Sequence, residues 1–199
     1  MNISKIGKFL SMNKYEKKRS IVRNTYSYIY RNRYKFIGKK SYFLNPIFIS
    51  GMKYMKLGND VGVWDGARVE IIDEWGEQKF TPELAIGNHV NIGQSLHLTC
   101  ADKVVIEDNV LISARVSILG INHVTENKDI PILDQGIIAK PIIIKEGAFI
   151  GIDAVIMPGV TIGRHAIIGA NSVVNKNVDD YVTVAGSPAK FITESFHGE

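Results

Sequence analysis

The sequence predicts an all-β protein, a parallel β-helix wound from six-residue units, and three observations lead there. Between Ile144 and Val174 an aliphatic residue returns at every sixth position, at Ile144, Ile150, Ile156, Ile162, Ile168 and Val174. A glycine follows directly in Ile150-Gly151, Ile162-Gly163 and Ile168-Gly169. The same beat runs upstream through Ile86, Ile92, Leu98 and Val104, and then, shifted by two residues, through Ile106, Ile112 and Ile118. A helix wants apolar residues at spacings of three and four and a half-buried strand alternates by two, so a strict period of six suits neither. Tandem units this short belong to hexapeptide-repeat β-helices, in which stacked turns bury one aliphatic residue per face in a shared core.

Residues 1 to 45 read as an N-terminal arm. Residues 1 to 40 hold 12 Lys or Arg against one acid, Glu16, whereas the whole 199-residue chain carries only +4. Tyr15, Tyr26, Tyr28, Tyr30, Tyr34 and Phe36 are interleaved with those charges. The expected role is a partly helical extension that covers the first open coil, because terminal repeats need capping. A basic, aromatic segment can also rest on an anionic membrane surface. No nucleic-acid recognition motif accompanies the charge, so nucleic acid is not an expected partner.

Residues 46 to 185 read as the solenoid. Leu57, Val63 and Val69 keep the beat, with Asn59, Gly62 and Gly66 as expected corners and Trp64 beside the beat as a packing residue. The segment 73 to 83 breaks it and holds Trp75, which reads as a small corner loop. Near 119 to 141 the beat is lost altogether, and an excursion of that length from a repetitive scaffold is where function concentrates. Corners call for small or left-handed residues, and Gly151, Gly159, Gly163, Gly169, Asn171 and Asn175 are of those types. Residues 186 to 199 read as a C-terminal tail. The apolar runs at 42 to 50 and 130 to 144 are too short or interrupted to span a bilayer, and no cleavable apolar leader is visible. Cys100 is the single cysteine, expected as a small buried hydrophobe; with no disulfide possible the expected address is the cytoplasm.

The stretch from Ile144 to Lys190 runs through Phe149-Ile150-Gly151, Ile156-Met157-Pro158-Gly159, Ile168-Gly169-Ala170-Asn171 and Ala185-Gly186-Ser187-Pro188-Ala189-Lys190. It resembles the hexapeptide-repeat acyltransferases, and within them the sugar O-acetyltransferases of the maltose and galactoside type and those that decorate surface polysaccharides. The resemblance implies a left-handed coil, a homotrimer, acetyl-CoA as acyl donor, a saccharide hydroxyl as acceptor and no metal. In such proteins a catalytic histidine heads the loop that follows a coil similar to Ile106–Ile112, and the matching position is His123. The family often shows Asp-His-Asn-His there; this chain keeps Asn122 and His123 but has Gly120 and Ile121 in the first two places.

The chemistry suits that position. A hydroxyl attacking a thioester needs a base for its proton, and an imidazole with an ordinary pKa of ~6.5 serves at neutral pH. By position the resemblance assigns Gly151, Ile152, Ala170, Asn175, Lys176 and Lys190 to the acyl donor, with the lysines able to meet CoA phosphates, and Asn122 to the sugar. Ser187 stands where the family commonly has Asn. Asp102 either orients the imidazole or bonds to local backbone, while Pro131 and Gln135 match the loop pattern without a role that sequence assigns.

His89, His97 and His165 raise a comparison with hexapeptide-repeat zinc carbonic anhydrases. Zinc needs three or four converging ligands, and His89 and His165 fall in corner slots while His123 has no close companion, so no metal is expected. The alternatives to O-acetylation are N-acylation of an amino sugar, acetylation of a small drug or of serine, and, from other classes, a zinc hydrolase or a non-catalytic β-helix scaffold.

Overall fold

The computed structural model describes residues 10–194, and in it the six-residue beat becomes three flat parallel sheets wound into one solenoid. The first sheet stacks Ile37, Leu57, Ile86, Ile106, Ile144 and Ile162 in register. The second stacks Phe43, Val63, Ile92, Ile112, Ile150, Ile168 and Val184. The third stacks Ile49, Val69, Leu98, Ile118, Ile156 and Val174. One turn of three units separates Ile144 from Ile162. From Leu57 to Ile162 the first ladder is buried throughout, and a second inward row of small residues, among them Ala148, Ala154, Ala166 and Ser172, fills the space between ladders. Each fully buried Ile or Leu contributes roughly 1.5–3 kcal/mol relative to exposure, which is why a chain with so little regular hydrogen-bonded helix holds together.

The corners depart from expectation in an instructive way. The left-handed residues include Asp60, His89, Asn109, Asp153, His165 and Asn171, with φ between 52° and 60°. Gly159 (φ 85°) and Gly66 (φ 81°) also take that conformation, as expected of corners. Gly151 and Gly163 do not, and neither does Asn175. Those two glycines are required by spacing: a Cβ on Gly163 would lie 2.4 Å from the Asp179 backbone carbon, and one on Gly151 would lie 2.7 Å from the Ala170 nitrogen. Gly62 is no corner either: it begins a strand, and a Cβ there would lie 3.1 Å from the Tyr42 hydroxyl.

The N-terminal arm is shorter than 1–45. Strands Phe36–Ile37 and Tyr42–Phe43 already pair with the next coil, so the solenoid starts there. At the other end Lys190–Glu194 folds back antiparallel on Val182–Ala185 and closes the second sheet. Residues 1–9 of the arm and 195–199 of the tail lie outside the described residues. Helix α1 (Lys14–Tyr30) precedes the solenoid, begun by a capping box in which Asn13 and Glu16 each accept the other's backbone N–H at 2.9 Å. Its Tyr26 packs on Phe43 with ring centroids 6.3 Å apart and shares a 2.9 Å hydrogen bond with the Tyr34 hydroxyl. Arg23 pairs with Asp60 at 2.7 Å, and Trp64 lies between Tyr15 and Arg19. α1 therefore covers the open first coil. Cys100 is fully buried in the core and burial pushes its thiol up to about 12. Among the described residues no helix is long and apolar enough to cross a membrane.

Candidate active site

Both breaks in the beat leave the solenoid at the same edge, where the third sheet hands over to the first. The smaller, after Arg68–Ile71, is a tight hairpin pairing Glu74 with Lys79 and Trp75 with Gln78. The larger leaves after Ser117–Leu119 and starts as a second hairpin in which Ile121–His123 pairs antiparallel with Ile137–Ala139. One coil lies between them, turning this corner at Ala101 and Asp102 with the two extra residues that shift the beat. Beneath the two excursions Ile72, Ala101 and Ile137 form a small separate core, with Trp75, Phe80, Ile121 and Ala139 packed on it. Apolar residues that interrupt the beat thus pack with one another, and that contact holds both loops against the body.

Gln78 joins the two hairpins. Its side-chain amide donates to the Ile137 carbonyl at 3.0 Å and its oxygen accepts from the Ile137 N–H at 2.8 Å, so one amide replaces a missing strand partner. Ile137 is the residue opposite His123. Gly136, at φ 89°, is required where it sits, because a Cβ would lie 2.6 Å from the Gln78 oxygen. Farther out Gln135 closes the loop on itself: it donates to the Asn127 and Ile130 carbonyls at 2.7 Å each and accepts from the Asn127 N–H at 2.9 Å. At the base of the smaller hairpin the Tyr54 hydroxyl, 2.7 Å away, and then Lys53 hold the Asp73 carboxyl below the usual carboxylate range.

His123 is exposed at the end of its strand, with the Trp75 ring edge-on to the imidazole at a centroid distance of 5.4 Å and 69°. Trp75 also lines a recess of about 570 Å³, together with Glu77, Gln78, Leu133, Asp134 and Gln135. Asn122 is exposed one residue before, opposite Ile138. Asp102 uses its backbone carbonyl to accept the Glu83 N–H at 2.7 Å, and among the described residues no hydrogen bond links its carboxylate to His123. Trp75 was visible in the sequence only as part of a break, and Gln78 was not visible as functional at all. The signal was that two breaks fall at the same phase of the coil.

The residues assigned to the acyl donor divide between two edges. Gly151 and Ile152 stack directly under Ala170 and Asn171 at the corner between the second and third sheets, joined by the Asn171 N–H to Ile152 carbonyl bond at 2.9 Å. Lys190, exposed and paired with Ala185, lies past the same corner, since a Cβ on Gly169 would meet Ala185. Asn175 and Lys176 are on the other edge, the one that bears His123, beside a recess of about 290 Å³ that includes Val184, Ala189 and Phe191. His89 and His165 turn corners between the first and second sheets and His97 lies within the third. Among the described residues no three His, Cys, Asp or Glu side chains converge as a metal site.

Residues 141–176 match the model of the bacterial transferase hexapeptide family, six repeats. That stretch of the chain is similar to the repeats of this family. The chain is 30% identical over 133 residues to probable acetyltransferase Rv3034c of Mycobacterium tuberculosis, covering 67% of this chain and 43% of that protein. It is 36% identical over 115 residues to galactoside O-acetyltransferase of Escherichia coli, covering 54% and 55%. The chain thus spans about half the length of the curated relatives it matches. Among solved structures, AntD, an N-acyltransferase from Bacillus cereus in complex with dTDP and coenzyme A, superposes with a TM-score of 0.71 at 20% identity, over 84% of this chain and 88% of that one. The shared architecture is the left-handed parallel β-helix of the hexapeptide family.

Proposed function

We propose that this protein is an acetyltransferase that moves an acetyl group from acetyl-CoA to a hydroxyl of a saccharide, in the making of a surface polysaccharide, with His123 as general base. The observation that carries the reading is the exposed His123 at the end of a braced hairpin, against Trp75, a ring that also lines a recess. In the reaction the acceptor oxygen attacks the thioester carbonyl while His123 takes the hydroxyl proton; a C–O bond forms, the C–S bond breaks, and CoA leaves as the thiolate. The thioester is already activated, so the protein has to hold two substrates in line and supply the base. The likeness to galactoside O-acetyltransferase supports the hydroxyl acceptor. The division of the donor residues between two edges supports a homotrimer, in which a donor lying between neighbours meets one edge from each.

A second reading, N-acylation of an amino sugar, is favoured by Glu77 and Asp134, two carboxylates lining the recess, which suit a cationic amine. The deciding experiment is thiol release from acetyl-CoA against neutral and amino sugars, run beside His123→Ala. Release that depends on a neutral sugar and falls by roughly 10² or more in the variant is the expected result. Preference for amino sugars moves the assignment to the second reading, and absence of both release and acetyl-CoA binding overturns both.

A further inference from the structure

α1 has two faces, and the solenoid uses one of them. Tyr15, Arg19, Val22, Arg23, Tyr26 and Tyr30 recur at spacings of three and four along the inner side, and most of them contact the first coils. The opposite side presents Lys14, Lys17, Ile21, Asn24, Tyr28 and Arg31, a stripe with the same helical spacing. Nothing among the described residues covers its apolar members: Ile21 is 54% exposed, Tyr28 77%, the adjacent Ile29 63% and Leu10, just before the helix, 66%. Arg31 lies over the Tyr28 ring at 5.7 Å. The one acid of the region, Glu16, is held by its capping box with Asn13. Lys14 and Lys17 have no acidic partner among the described residues.

We propose that this outer face of α1 rests on an anionic lipid surface. A helix that carries ammonium and guanidinium groups beside exposed isoleucine and tyrosine matches both layers of such a surface, phosphate headgroups for the charge and the acyl boundary for Ile21, Tyr28 and Ile29. A nucleic-acid backbone would use the charges and leave those apolar groups in water. A second copy of the same face would set lysine against lysine. The inner and outer stripes together explain the composition of the arm: the helix is tied down at the end of the solenoid and remains amphipathic outward.

The test is co-sedimentation of the full chain with vesicles of phosphatidylcholine alone and of phosphatidylcholine mixed with phosphatidylglycerol. Binding to the mixed vesicles, fading as salt shortens the Debye length, and absent from phosphatidylcholine, is expected. The double variant Ile21→Ser, Tyr28→Ser removes two exposed apolar groups without changing the charge, so its melting temperature should match the parent while its vesicle binding drops by roughly tenfold. Failure of the parent to sediment with the mixed vesicles overturns the proposal. So does unchanged binding of the double variant, which would make the contact one of charge alone, open to any polyanion. None of these readouts depends on acyl transfer.

Discussion

At the residue scale, chemistry and stability fall on different side chains. His123 is exposed and makes its ring contact with Trp75, so its removal should cost turnover and leave the fold alone. Asp108 is the reverse case, remote from the site and binding the coils together. It accepts the Asn88 backbone N–H at 2.7 Å and the Asn88 side-chain amide at 3.2 and 3.1 Å. The backbone bond first, then the side-chain bond, holds its carboxyl below the usual range. A carboxylate whose folded pKa is depressed stabilises the fold above its unfolded pKa of ~3.9 and loses that stabilisation as pH falls through the folded value. Asp108→Asn should therefore lower the melting temperature at neutral pH and flatten its decline below pH ~4, as followed by circular dichroism. An unchanged acid limb would show that Asp108 does not govern it. The sequence nominates His123 by its residue type and its place at the head of a loop, and the structure sets it exposed at the end of a hairpin strand. The role of Asp108 was not legible in the sequence, because Asn88 reaches it only through the stacking of one coil on the next.

At the element scale the hexapeptide is legible and the excursions are only half so. Period six reports the inward row directly, since every buried ladder residue from Ile144 to Val174 sits on the beat. It does not report why glycine follows that residue: Gly163 answers to the backbone of the next coil, a tertiary distance. The breaks at 73–83 and 119–141 could be seen, but their meeting across the Ala101–Asp102 corner depends on how many turns separate them and which edge each leaves. Gln78 turns that meeting into a mechanical link, because its two hydrogen bonds to Ile137 fix the strand opposite His123. Gln78→Ala leaves the Ile137 N–H and carbonyl without those partners, and such a loss costs about 1–3 kcal/mol locally. The expected outcome is faster amide exchange at residues 137–139 and a kcat lowered by roughly tenfold, with KM for acetyl-CoA unchanged, because Gln78 bonds to Ile137 and to none of the residues assigned to the donor. If exchange rises and kcat holds, the link is structural and the imidazole is positioned by Trp75 alone.

At the scale of the whole molecule the residues nominated for base and donor fall on two different edges of one chain. His123, Asn175 and Lys176 stand where the third sheet meets the first; Gly151, Ile152, Ala170 and Lys190 stand where the second meets the third. The periodicity places each of these residues on its edge, and within one chain the two edges do not meet. A cyclic trimer with a heterologous interface would bring one edge of each subunit against the other edge of the next. Two inactive variants then test the arrangement together. His123→Ala removes the base; Ala170→Trp, at an exposed corner position, fills the groove on the donor side. Within a mixed trimer, a site built from the His123 of an Ala170→Trp subunit and the Ala170 of a His123→Ala neighbour carries both intact halves. Unfolding and refolding an equal mixture should therefore restore acetyl transfer to about a quarter of the wild-type rate, the share of interfaces with that orientation. Each variant refolded alone should stay inactive. A mixture no more active than its parts would place base and donor on the same chain and remove the shared site.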